Sequence, residues 1–125
     1  MRQLNPLVLA SVGDAVYSLY IRAYLAAKHD LNAHSLHSAA ARMVCAAGQK
    51  EAYYKVEPLL TQEELYIAKR GRNTHPGTIP KNANIADYRT ATALEAVFGY
   101  LFLLKEEQRM DLLMQKILEE TYETN

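Results

Sequence analysis

Three observations predict an all-α fold, a helical bundle. Apolar residues recur at helical spacing almost throughout the 125-residue chain. No stretch shows the alternating pattern of a half-buried strand, and glycine and proline together number only nine. The first helix is expected from Pro6 to about Lys28, with Asn5 as N-cap and Pro6 at the first helical position, where its missing N–H costs nothing. It ends near His29-Asp30. A second helical stretch runs from about Ser35 towards Val56, broken near Gly48 and closed before Pro58, because proline disfavours helix in the residue preceding it. Thr61-Gln62-Glu63-Glu64 is a capping-box sequence that opens a short helix, which Lys69, Arg70 and then Gly71 close in the expected way. "GRNTHPGTIPKN" holds two glycines, two prolines and two asparagines, so the chain from Arg72 to Asn84 is expected to be loop. Another long helix follows from about Asp87 to Leu104, and a last one covers roughly Glu106 to Thr121.

A chain of this length is comfortable as one domain over residues 1–125, burying about two-thirds of its unfolded surface without a disulfide. Its single cysteine, Cys45, sits in Met43-Val44-Cys45-Ala46 and reads as a buried thiol, which fits a cytoplasmic protein. The N-terminus lacks the layout of a signal peptide, and no apolar run reaches the roughly 18–20 residues of a membrane span, so a soluble protein with no membrane partner is expected. Fourteen basic and fourteen acidic residues cancel. Any electrostatic site must therefore come from uneven distribution. From Lys69 to Lys81 the chain carries Lys69, Arg70, Arg72 and Lys81 with no acid, whereas the tail from Glu106 is rich in glutamate.

The candidate chemistry lies on two helices. On a helical wheel Ser11, Asp14, Ser18 and Arg22 form one narrow stripe of the first helix, while apolar residues, among them Val8, Val12, Leu19 and Tyr20, cover most of the rest. In "ATALEAVFGYLFLL", residues 91–104, Glu95 is the sole charge. This helix should be central, and an ionised carboxylate there is costly unless paired, hydrogen-bonded or bound to a cation. Its partner is either a basic side chain such as Arg22 or Arg89, or a divalent metal shared with Asp14. Two carboxylates on facing helices, beside the small residues Gly13 and Gly99, make an oxygen-ligand site suited to Mg²⁺ and to phosphodiester hydrolysis, with the metal lowering the pKa of the attacking water. His34 and His37, spaced i and i+3 without a nearby cysteine or acid, make a poor metal site. In the basic loop Arg70, Arg72, Asn73, Lys81 and Asn82 are candidates for contacts with nucleic-acid phosphates and, where they reach, base edges in a groove. Tyr17, Tyr20 and Tyr24, at i, i+3 and i+7, serve either ordinary core packing or a second, intermolecular surface.

These residues also carry a resemblance. "GDAV", with "EAVFGYL" beginning eighty-one residues after its aspartate, is similar to the paired signature of the ribonuclease III endonuclease domain. "LASVGDAVYSLYIR", "KRGRN", "GTIPKN" and "YRTATALEAVFGYLFL" resemble the family's compact bacterial branch, the Mini-ribonuclease III proteins, over Leu4 to about Leu118. The resemblance implies a homodimeric, Mg²⁺-dependent endoribonuclease, with Mn²⁺ able to substitute, acting on double-stranded regions of structured precursor RNA. Asp14 and Glu95 would be its metal-binding catalytic carboxylates, supported by Gly13, Thr92 and Gly99. It further suggests a role in large (23S) ribosomal RNA maturation, with a ribosomal protein as an eventual cofactor. The parent family carries two more acids, at the positions of Ala10 and Thr92 here, and a separate double-stranded-RNA-binding domain for which this chain has no room. The alternative is a non-catalytic RNA-binding or ribosome-associated module on the same fold. An all-α nucleotide pyrophosphohydrolase is a distant third, because it needs several acids at i and i+3 or i+4 and neither Asp14 nor Glu95 has a second acid at that spacing.

Overall fold

The computed structural model of the chain describes residues 4–74 and 84–123, with side chains to residue 119. Among them every regular element is helical: α1 (Pro6–Lys28), α2 (Ala33–Val44), α3 (Ala46–Val56), a 3₁₀ turn (Glu57–Leu59), α4 (Gln62–Arg72), α5 (Ile85–Leu103) and α6 (Glu107–Glu123). The caps explain the starts. Asn5 Oδ1 accepts from the Leu7 N–H at 2.8 Å, Asn32 Oδ1 from Ser35 at 2.8 Å and Asn84 Oδ1 from Asp87 at 3.1 Å. Thr61 and Glu64 complete a reciprocal capping box at 2.9 and 3.1 Å. Each satisfies backbone donors that a helix N-terminus would otherwise leave open.

Several boundaries differ from the sequence expectation. The break in the second stretch falls at Cys45, not Gly48: Cys45 is extended (φ −70°, ψ 167°), ending α2 and opening α3. Gly48 marks the corner one turn later, because a Cβ there would lie 2.6 Å from both the Arg42 and Met43 carbonyl oxygens. The corner also leaves Cys45 exposed rather than buried. Gly71 does not stop α4. It lies buried against α5, where a Cβ would stand 3.0 Å from the Thr92 oxygen and the Ala96 Cβ, so close packing explains the glycine and the helix continues to Arg72. Asn73 and Thr74 follow it, and the remainder of the expected loop, from His75 to Ala83, lies outside the described residues.

α5 is the axis of the bundle. It packs on α1 most extensively, then on α4, α3 and α6. From Thr90 to Leu101 every residue except Glu95 is buried. Tyr17 is enclosed with this helix, its ring edge-on to Phe98 at 5.5 Å, so the core takes it; Tyr20 and Tyr24 are partly buried against the same cluster. Val8 and Leu19, by contrast, remain 50% and 67% exposed, so α1 carries apolar surface that the core does not cover. No described helix is long and apolar enough to cross a membrane.

Candidate active site

Asp14 and Glu95 meet because the backbones of α1 and α5 touch. A Cβ on Gly13 would run into the Glu95 carbonyl and stand 2.8 Å from the Gly99 nitrogen, and one on Gly99 would strike the Leu9 carbonyl. Only glycine permits helices this close, and the crossing sets the two carboxylates into one cavity of about 310 Å³. Ala10, Ser11, Gln49, Tyr88 and Thr92 also line it. Asp14 is exposed and Glu95 half-buried, so the pair spans the cavity from its mouth inward.

The electrostatics of the pair are unfavourable as they stand. Burial, then the hydrogen bond to Asp14 and its charge, push the Glu95 carboxyl up to about 8, while the Gln49 amide works the other way. Neither basic candidate answers Glu95. Arg22 Nε donates to Ser18 Oγ at 3.0 Å on the same helix, and the buried Arg89 Nε finds no hydrogen-bond partner. Among the described residues Glu95 has no ion pair. No group of three or more His, Cys, Asp or Glu forms among them either. His34 and His37 are both exposed on α2.

Glu64 shows what a satisfied buried glutamate looks like in the same bundle. Burial raises its pKa, but Arg109 at 2.7 and 2.9 Å and the Thr61 cap overcome this and hold the carboxyl below its usual range. Glu95 has acquired a second acid where Glu64 has a guanidinium.

The structure brings Asp14, Glu95 and Thr92 together, with Gly13 and Gly99 at the crossing that makes this possible. Thr92 Oγ1 donates to the Tyr88 carbonyl at 2.9 Å. Arg70, Arg72 and Asn73 lie instead at the C-terminal end of α4, outside the cavity lining. Arg70 sits over the Tyr66 ring at 5.8 Å; Arg72 sits over Tyr53 at 5.2 Å, with Glu57 4.0 Å away. Lys81 and Asn82 lie outside the described residues.

Gln49 is the site residue that sequence reasoning missed. It is 1% exposed, and its Nε2 donates to the Val44 carbonyl at 3.0 Å, closing the C-terminus of α2. The signal was available: Gln49, Ala52, Tyr53 and Val56 fall at i, i+3, i+4 and i+7, so the glutamine stands on the apolar stripe of its helix.

Comparison with known proteins shows the family to which the chain is similar. Residues 7–106 match the ribonuclease III domain family. The chain is 43% identical over 119 residues to a Mini-ribonuclease 3 of Clostridium tetani, covering 94% of this chain and 79% of that one. It is 47% identical over 112 residues to the Mini-ribonuclease 3 of Brevibacillus brevis, covering 90% and 84%. A crystal structure of a Fusobacterium nucleatum protein superposes with a TM-score of 0.85 at 32% identity, covering 96% of each chain.

Proposed function

The chain belongs to the ribonuclease III domain family and is an endoribonuclease of that type, and from that premise we propose that Asp14 and Glu95 are its catalytic, metal-binding carboxylates. The observation that carries the reading is the uncompensated pair: two carboxyls within hydrogen-bonding reach, one driven up to about 8, with no cation beside it among the described residues. The donor set fits Mg²⁺, a hard cation that takes one or two carboxylates and keeps much of its water. Mn²⁺ accepts the same oxygens. When bound, the metal supplies charge neutralisation at the phosphate and a lowered pKa for the attacking water.

The chain's own residues do the rest. Asp14 and Glu95 are carried by helices in backbone contact, so the positions from which they reach the cavity are fixed by the fold, and such preorganisation is what makes electrostatic stabilisation effective. Ala10 and Thr92, with Gly13 and Gly99 at the crossing, leave the cavity free for a phosphate. Arg70, Arg72 and Asn73, with Lys81 and Asn82, are proposed to contact the backbone of an RNA duplex, which is read mainly through its shape, phosphates and 2′-hydroxyls.

The finer reading is a homodimer acting in the cytoplasm on double-stranded regions of precursor RNA. Resemblance of the ordered motifs supports large (23S) ribosomal RNA as substrate, with a ribosomal protein as an eventual cofactor. Uncovered apolar surface supports the dimer: Leu19, Ala23 and the 49%-exposed Phe102 line a groove of about 760 Å³.

Asp14→Asn and Glu95→Gln should each lower Mg²⁺-dependent cleavage of duplex RNA by about 10²–10³-fold or more. Helical circular dichroism and duplex binding should survive. Cleavage at the wild-type rate by either variant would remove it from the catalytic set.

A further inference from the structure

We propose that Gln49 is a positioning residue for the metal, its Oε1 accepting a hydrogen bond from a water in the cation's hydration shell. The inference rests on the metal reading of Asp14 and Glu95. It starts from an unmet polar group: Gln49 is 1% exposed, its Oε1 is buried without a hydrogen-bond partner, and its side chain lines the cavity that holds the two carboxylates. A buried amide oxygen left unpaired costs free energy, so a native structure that keeps one implies a donor arriving from elsewhere.

The amide orientation is set by its own hydrogen bonds. Nε2 is committed to the Val44 carbonyl at 3.0 Å, which leaves Oε1 as the unpaired end of an amide that lines the cavity. None of the other polar side chains lining the cavity, the Ser11 and Tyr88 hydroxyls included, is hydrogen-bonded to Oε1. With a cation bound, Asp14 and Glu95 are ionised and offer only acceptors, and Thr92 spends its hydroxyl proton on Tyr88. Two ionised carboxylates beside an unpaired amide oxygen are complementary to a hydrated divalent cation, whose coordinated waters present only hydrogens outward. Mg²⁺ keeps several such waters, and groups that hold them typically change metal affinity by about 10–100-fold.

The test compares Gln49→Met with Gln49→Glu in the full-length chain. Both lose the bond to the Val44 carbonyl, and only glutamate retains an oxygen acceptor. Mg²⁺ binding is measured without RNA, by titration calorimetry and by the metal-induced rise in Tm, with the metal-free Tm of each variant as the folding control. Gln49→Met should weaken Mg²⁺ about tenfold or more, and Gln49→Glu should bind at least as tightly as wild type. Unchanged affinity in Gln49→Met, or equal losses in both variants, would make Gln49 a clamp of the α2–α3 corner and overturn the inference. Asp14→Asn separates the two readings: if it abolishes Mg²⁺ binding while Gln49→Met does not weaken it, only the glutamine assignment fails. If Asp14→Asn binds Mg²⁺ as wild type does, the metal site itself is wrong.

Discussion

Two glutamates of one bundle, Glu64 buried and Glu95 half-buried, meet opposite fates because of what stands next to them. Glu64 receives Arg109 and a backbone N–H, so it stays ionised as part of the scaffold; Glu95 receives Asp14 and is pushed up to about 8. The folded chain therefore holds the Glu95 proton more tightly than the unfolded chain, whose carboxyl titrates near 4.5. That contribution is fully present below the unfolded value and is lost as pH rises through the folded one. In the absence of metal, wild-type stability should fall as pH rises from about 4.5 to about 8, and Glu95→Gln should flatten this part of the profile. Urea midpoints measured across that range in a chelator would check it. Identical slopes for the two proteins would show that the proton is not stored on Glu95. Divalent metal should oppose the fall, because binding requires the ionised carboxylate and becomes tighter as the proton leaves.

At the level of elements, the decisive contact is α1 against α5. Gly13 and Gly99 let the two backbones touch, and the same crossing buries the Tyr17–Phe98 pair and aligns the two acids. Gly13→Ala would place a methyl group against the Glu95 carbonyl and within 2.8 Å of the Gly99 nitrogen. No side-chain rotation relieves a clash with backbone, so the helices must separate, at a cost of about 3 kcal/mol, the upper end for overpacking. Chemical denaturation should register that loss, and Mg²⁺-induced stabilisation should weaken with it. A Gly13→Ala protein with wild-type stability and metal response would mean that the crossing is not this tight. The turn from α5 to α6 shows a smaller local strain: Lys105 takes φ 60°, a conformation glycine usually supplies, while the Lys105 and Glu106 N–H groups donate to the Phe102 and Leu101 carbonyls.

On the scale of the whole molecule, the described residues form one cluster of buried apolar side chains and leave a substantial apolar face outside it. Leu19 at 67% exposed is the most prominent residue of that face, beside Phe102 across the groove between α1 and the end of α5. A symmetric pairing through this surface would present two cavities to one RNA duplex, one for each strand. Leu19→Arg places an unpaired charge where that interface would be dry. It should weaken dimerisation about thirtyfold or more, the scale of a single interface hot spot, while leaving helical content unchanged. Light scattering across a concentration series would show the shift. A Leu19→Arg protein that dimerises as wild type does would move the interface to another face.

Much of this protein was determined by its sequence alone. Helical periodicity, Asn5 before Pro6 and the Thr61–Glu64 capping box are local signals acting through neighbouring residues, and each matches the observed helix start. A lone charge in an apolar helix likewise marked Glu95 as a residue needing a partner. Other features depended on neighbours distant in the chain. Gly48 and Gly71 looked like helix breakers, and only packing showed that they are points of close approach, with α2 turning instead at an exposed Cys45. Tyr17 was divided between core and surface until Phe98 claimed it. Gln49 stood legibly on the apolar stripe of its helix, but its place in the site was not legible, because that lies in an oxygen left unpaired beside two carboxylates. Periodicity specifies which residues form helices, since those forces act within a turn or two, but which carboxylate meets which, and what the cavity between them lacks, is decided by helix crossings alone.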